Sequence, residues 1–238
     1  MKKAIIIGAS SGIGRRLAVI LSKNGYTVCA TGRRGDLLRS LQSELSSGSF
    51  VRTMDVSDTE NAVKTFKTIT EDLGGIDLVV ISAGTGHLNP DLQWNKEKDT
   101  IDVNVTGFSA MVGAAYHHFI KQRSGHLVGI SSLAALRGGG DAPAYNASKA
   151  FVVSYLQGLR HKTAKLKIPI YITDIRPGFV DTAMAQGDGL FWVQSPEKAA
   201  GQIFAAIQKK RKVAYITKRW ILIAWVLRLL PDAIYHKI

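Results

Sequence analysis

Lys3-Ala4-Ile5-Ile6-Ile7-Gly8-Ala9-Ser10-Ser11-Gly12-Ile13-Gly14-Arg15-Arg16-Leu17-Ala18-Val19-Ile20 is the stretch on which the fold turns. Ala4 to Ile7 is apolar without interruption, as in a strand covered on both faces. From Arg15 onward the pattern becomes helical. Between the two, glycines at 8, 12 and 14 permit a tight strand-to-helix turn with close backbone approach. Strand, tight turn and helix in that order open a parallel α/β sheet. Gly8 ends the apolar run too early for the core of a secretory signal, so no leader is expected to be removed.

The same alternation continues outward. Runs rich in β-branched residues at Ala4 to Ile7, Thr27 to Thr31, Phe50 to Met54, Leu78 to Ile81, His126 to Ile130, Ile170 to Ile175 and Val213 to Thr217 are separated by helical patterns. They predict a doubly wound, Rossmann-like parallel sheet of about seven strands. At 238 residues, with 46% hydrophobic and 21% charged residues, the chain fits one large globular domain and neither a disordered nor a fibrous protein. We read residues 1–217 as that domain and 218–238 as a tail, not a second domain. Gly138-Gly139-Gly140 reads as a loop and not as a hinge. The single cysteine, Cys29, excludes an internal disulfide and points to a reducing, cytoplasmic home.

The glycine turn has a chemical reading. Backbone amides from Gly8, Ser10, Ser11, Gly12, Ile13 and Gly14, with the positive end of the following helix, suit a pyrophosphate. Taken alone it is equally a plain tight turn, and its spacing is not G-x-G-x-x-G. At the end of the second strand, Thr31-Gly32-Arg33-Arg34 stands where an acidic residue would bind the adenosine ribose of NAD(H). Arg33 and Arg34 suit a 2′-phosphate, which favours NADP(H) over NAD(H); the alternative is a solvated surface pair. Asp55, followed by Val56, is placed to meet an adenine amino group, or to cap the next helix.

Tyr145 and Lys149 lie four apart in Ala144-Tyr145-Asn146-Ala147-Ser148-Lys149 and share one helix face. A neighbouring ammonium favours the phenolate, so the tyrosine pKa is expected to fall toward neutrality, as a general acid/base needs. Alone, such a pair is equally a packing tyrosine beside a surface lysine. Ser132 ends the strand His126 to Ile130-Ser131-Ser132, a position suited to a polar cleft.

In order, the G-x-x-x-G-x-G turn, Ser82-Ala83-Gly84, Asn104, Ser132, Tyr145-x-x-x-Lys149 and Pro177-Gly178 are similar to the short-chain dehydrogenase/reductase family. The resemblance runs from about Lys3 to the strand at Val213 to Thr217. It implies that Tyr145 exchanges a proton with a carbonyl or alcohol oxygen, that Ser132 hydrogen-bonds the same oxygen, and that Lys149 binds the nicotinamide ribose. It implies that Asn104 holds a water, that Ser82, Ala83 and Gly84 lie beside the adenine ribose, and that Pro177, Gly178, Val180 and Thr182 surround the nicotinamide, with Thr182 on the carboxamide. Ile7 and Ile81-Ser82 depart from the family's usual threonine and paired asparagines, and Ser11 from its frequent basic residue. The expected activity is NADP(H)-dependent interconversion of a carbonyl and a secondary alcohol on a hydrophobic small molecule, by a homodimer or homotetramer. A non-redox enzyme on the same fold, an epimerase or dehydratase, and a cofactor-binding sensor without turnover are the alternatives.

The net charge of +13 is concentrated at one end. Lys209, Lys210, Arg211, Lys212, Lys218, Arg219, Arg228 and Lys237 face only Asp232 in the last stretch. Aromatic and basic residues do not interleave elsewhere, so no nucleic-acid partner is expected. Met184, Leu190, Phe191 and Trp192 after Thr182 could wall an apolar substrate site or simply pack that segment down. Trp220 to Leu230 is apolar except for Arg228, and at helical rise covers roughly 16 Å, too short to span a bilayer. With the basic run and Trp225, the stretch 209–230 is either a peripheral contact with the inner face of a membrane or a segment docked on protein.

Overall fold

The computed structural model describes residues 1–182 and 191–235. Each expected strand forms: β1 (Lys2–Ile7), β2 (Tyr26–Gly32), β3 (Phe50–Thr53), β4 (Leu78–Ile81), β5 (Gly125–Ile130), β6 (Ile170–Pro177) and β7 (Val213–Ile216). They make one sheet in the order β3-β2-β1-β4-β5-β6-β7, with every neighbouring pair parallel. β6 runs past its expected end because Arg176 and Pro177 still pair with Tyr215 and Ile216.

The unbroken apolar runs are explained by cores on both faces. Ile5, Ile7, Val79, Ile81 and Leu127 point to one side, onto Phe66 of α3 (Thr59–Leu73), Met111 and Phe119 of α5 (Phe108–Gln122) and Leu156 of α6 (Pro143–Ala164). Ala4, Ile6, Leu78, Val80 and Val128 point to the other, onto Leu17 and Leu21 of α1 (Gly12–Lys23), Leu38 of α2 (Gly35–Gln42) and Ile203 of α7 (Pro196–Gln208). The period of two along a strand makes this split, and helices on both faces make both sides apolar.

Strand order reverses at β1, which has β2 on one side and β4 on the other. A crevice at the carboxyl edge of a sheet opens where order reverses. Here Ser82 and Ala83, leaving β4, both donate backbone N–H bonds of 2.8 Å to the Ile7 carbonyl at the end of β1. The glycine turn and the chain after β4 are thereby held together at that edge. α4 (Trp94–Ile101) leads into a π-helical turn, Asp102–Gly107, before α5.

The tail docks on the body. α8 (Trp220–Leu229) sets Trp220, Ile223 and Ala224 against Leu133, Leu136 and Tyr215. Arg137 ties it down: its Nε donates to the Leu227 carbonyl at 2.8 Å, one Nη to the Leu230 carbonyl, and the other pairs with Asp232 of α9 (Asp232–Tyr235) at 2.5 Å. The basic run falls elsewhere. Lys209 to Lys212 precede β7, at the sheet edge opposite the end from which α8 leaves, with Lys210 Nζ 3.9 Å from the centroid of the Tyr171 ring. The stretch 209–230, expected to be one basic and apolar surface, is split by the length of β7. Among the described residues, no helix is long and apolar enough to cross a membrane.

Candidate active site

Gly8 has φ +92, and a Cβ there would fall 2.3 Å from the Ala83 nitrogen. At Gly14 a Cβ would lie 2.1 Å from the Gly8 carbonyl oxygen, so helix and turn approach to a distance only glycine allows. α1 starts at Gly12, and the side chain of Ser11 does not cap it. The leading amides of Gly12, Ile13 and Gly14 thus keep their capacity to bind an anion. Arg34 is fixed above this turn: its Nε and Nη2 donate to Ser10 Oγ at 3.2 and 3.0 Å, and Nη2 to Ser11 Oγ at 2.5 Å. Arg33 beside it is exposed. The two hydroxyls, read from sequence as parts of the turn, also position an arginine that the sequence assigned to a phosphate. The glycine cradle and the helix end together fit the pyrophosphate of a dinucleotide.

Asp55 Oδ1 accepts from the Ser57 N–H at 3.0 Å and the Ser57 hydroxyl at 2.8 Å. Capping of α3 falls instead to Asp58, which accepts from the Asn61 N–H at 3.2 Å. Val56 is buried, its carbonyl so near that a Cβ on Gly107 would lie 2.6 Å from it. Thr182 closes the site from the far side, its Cγ2 3.1 Å from where a Cβ on Gly12 would be. Among the neighbours of Thr182, Pro177 and Val180 are buried; Met184 and Leu190 lie outside the described residues.

α6 brings Tyr145 and Lys149 to one face, as the spacing predicts. The buried Lys149 Nζ donates to the Ile130 carbonyl at 3.1 Å and lies 5.6 Å from the Tyr145 ring centroid. The Tyr145 ring is seated on Gly86, where a Cβ would come within 2.6 Å of Cδ2. Ser132 leaves β5 with its Oγ accepting from the Ala134 N–H at 3.1 Å, and it hydrogen-bonds the Tyr145 side chain. Gly84 lies beside both Lys149 and Asn104: a Cβ there would be 3.2 Å from Lys149 Nζ and 3.3 Å from Asn104 Oδ1.

The electrostatics correct one expectation. Burial pushes the Tyr145 hydroxyl above its ordinary value, and what opposes the rise is the hydrogen bond to Ser132, not the lysine. Burial also disfavours the charged form of Lys149, lowering its pKa to about 8, while nearby Asp174 works to raise it. Spacing along a helix puts two groups on one face but says nothing of how much water the surrounding loops remove.

Asn104 is buried in the π-helical turn. Its Oδ1 accepts from the Thr85 N–H at 2.8 Å, and its Nδ2 donates to the Thr85 carbonyl at 2.7 Å and to Ser148 Oγ at 2.9 Å. It pins the loop after β4 to α6. Sequence reasoning missed Gly86, against the Tyr145 ring, Ser148, which donates to the Tyr145 carbonyl at 2.7 Å, and Thr85, which pairs with Asn104. It also missed a buried network on β6: Ser131 donates to Asp174, and Asp174 pairs with Arg176 at 2.7 Å. A polar pair at alternate positions of an otherwise apolar strand was the available signal. Trp220 packs on Gly178 so closely that a Cβ there would fall 2.2 Å from the indole. An open groove of about 910 Å³ between Arg137 to Gly140, the start of α6 and the tail is separate from this cleft, since Ser132, Tyr145 and Lys149 do not line it.

The short chain dehydrogenase family model matches residues 2–189. The chain belongs to the short-chain dehydrogenase family of oxidoreductases. It is 37% identical over 188 residues to an uncharacterized oxidoreductase of Myxococcus xanthus (strain DK1622), covering 77% of this chain and 74% of that protein. It is 35% identical over 186 residues to one of Staphylococcus aureus (strain MW2), covering 77% and 80%. Among solved structures, a short chain dehydrogenase/reductase from Burkholderia phymatum in complex with NAD superposes with a TM-score of 0.84 at 21% identity, over 94% of this chain and 92% of that one. ElxO with NADP bound gives a TM-score of 0.78 at 24% identity over 90% and 96%. At such identities the structures speak for the fold, which they share with this short-chain dehydrogenase.

Proposed function

We propose that this short-chain dehydrogenase is an NADP(H)-dependent oxidoreductase that interconverts a carbonyl and a secondary alcohol, acting as a reductase on hydrophobic substrates. The convergence of Ser132, Tyr145 and Lys149 beside the glycine turn carries this reading. When bound, NADP(H) supplies or accepts the hydride. Tyr145, its pKa raised, stays a protonated phenol at neutral pH and so is in the form that donates a proton to a carbonyl oxygen in reduction. Ser132 hydrogen-bonds that oxygen. Lys149, with a pKa near 8, is mostly cationic at neutral pH and suits both a ribose hydroxyl and the tyrosine. Asn104 holds the loop that bears Gly84 and Gly86 in register with α6.

The cofactor assignment rests on the anchoring of Arg34 over the turn, with Arg33 free to swing to the same phosphate. Gly12 to Gly14 take the pyrophosphate, Asp55 and Val56 the adenine, Ser82 to Gly84 its ribose, and Pro177 to Thr182 the nicotinamide. The named relatives, themselves oxidoreductases, support the reaction class. Quenching of tryptophan fluorescence tests the assignment: NADPH is expected to bind about tenfold or more tighter than NADH, the worth of charge-assisted bonds to one phosphate. Arg33→Ala with Arg34→Ala should narrow that gap. Equal affinities in the wild-type protein would overturn NADP(H) as the cofactor.

A further inference from the structure

α8 has two apolar faces, and only one is used by the fold. Trp220, Ile223 and Ala224 are packed on the body. Leu222, Trp225, Val226 and Leu229 stand on the opposite side and are 68%, 64%, 56% and 75% exposed. Their spacing of three and four residues lines them into one stripe. A contiguous stripe of large apolar side chains marks a contact surface.

The charges around the stripe share one sign. Lys218 and Arg219 are exposed at its N-terminal end and Arg228 at the other, and from Lys218 to Leu230 the sequence holds no acidic residue. Asp232, just beyond, is paired with Arg137. We propose that this face of α8 lies on the surface of an anionic bilayer, and that the catalytic cleft takes an amphiphilic carbonyl compound from that surface. The second half rests on the oxidoreductase reading above.

A second copy of the chain fits less well. A twofold contact through this stripe would bring its cations together without an acidic partner, between chains of net charge +13. An anionic headgroup layer complements both the charges and the apolar stripe, with indole rings suited to that depth. The helix is too short to go further than shallow insertion.

The helix itself reaches the cleft. Trp220, at the start of α8, stacks with its ring centroid 5.5 Å from Phe179, 5.1 Å from Phe191 and 5.7 Å from Trp192. Phe179, Phe191 and Trp192 are each exposed in turn, and Trp220 itself touches Gly178. The buried Trp220 therefore ties the helix that bears the stripe to three exposed rings, Phe179, Phe191 and Trp192, which flank the segment after β6 that we assign to the nicotinamide. An amphiphile held at the headgroup region would meet those rings beside the cleft.

The test is co-sedimentation of the full-length protein with vesicles of phosphatidylcholine alone or mixed with phosphatidylglycerol, beside NADPH oxidation with two ketones. One ketone is short and water-soluble; the other is long-chain and carried in the vesicles. We expect binding to the mixed vesicles only, and an affinity about 100-fold lower for Lys218→Gln/Arg219→Gln/Arg228→Gln, at about fivefold for each cation near an anionic surface. Leu222→Gln/Trp225→Gln/Leu229→Gln, all on the exposed face, should bind neither vesicle. Both variants should turn over the soluble ketone as the wild type does and lose turnover of the long-chain one. Wild-type protein that ignores the mixed vesicles, or variants that bind them unchanged, overturns the membrane contact. A vesicle-free dimer abolished by the apolar variant overturns it in favour of a second copy. Vesicle binding without NADPH oxidation on either ketone instead sinks the carbonyl-reductase reading and leaves the docking face standing.

Discussion

Lys149 shows how much a single residue's chemistry depends on what surrounds it. Its charge is disfavoured by burial and supported by Asp174, and its pKa is about 8 against an ordinary 10.5. If the cationic form is the working one, turnover should fall as pH rises through about 8, and Asp174→Asn, which removes the supporting anion, should move that fall to lower pH. A pH profile of kcat/KM checks both. Stability has the opposite sign. A lysine whose folded pKa is depressed binds fewer protons than the unfolded chain between the two values, so folding gains as pH rises across that window. Relative to Lys149→Met, the wild-type protein should gain about 3 kcal/mol between pH 8 and 10.5, read by urea melts at each pH. The tyrosine–lysine spacing was legible in the sequence because a helix repeats; the upward shift of Tyr145 was not, because it comes from burial by residues distant along the chain.

Among the elements, the strands were the most legible, since a strand covered on both faces must be apolar at consecutive positions, as β1 and β4 are. The segments that shape the site were not. The π-helical turn that carries Asn104, and the loop whose Gly86 seats Tyr145, have no periodicity to read. Gly86 gives that loop a testable role. A methyl group there would sit 2.6 Å from the tyrosine ring, so Gly86→Ala should displace Tyr145 and lower kcat by tenfold or more, at about 1.4 kcal/mol per decade. NADPH affinity should hold, and a matching loss of affinity would mean that the loop serves the cofactor and not the tyrosine. The tail was half legible: its composition announced a contact surface, but that one face packs on Leu133 and Leu136, and that the basic run sits across the sheet, follows only from the direction of β7.

Over the whole molecule, the reversal of strand order at β1 does the assembling. It brings the turn after β1, the loop after β4 and the segment after β6 to one edge, while α6 supplies the tyrosine and lysine from the face of the sheet. Residues far apart in sequence thereby meet in a cleft with Arg34 held over the glycine turn at one end and an aromatic cluster at the other. The account stands on binding and proton transfer being separable within that cleft. The direct measurement is NADPH-induced thermal stabilisation and NADPH oxidation with a reducible carbonyl, side by side, on the wild type and Tyr145→Phe. At a hundredfold excess over Kd, NADPH should stabilise both by about 2.7 kcal/mol, with turnover present in the wild type and abolished in the variant. Turnover retained by purified Tyr145→Phe would contradict the account.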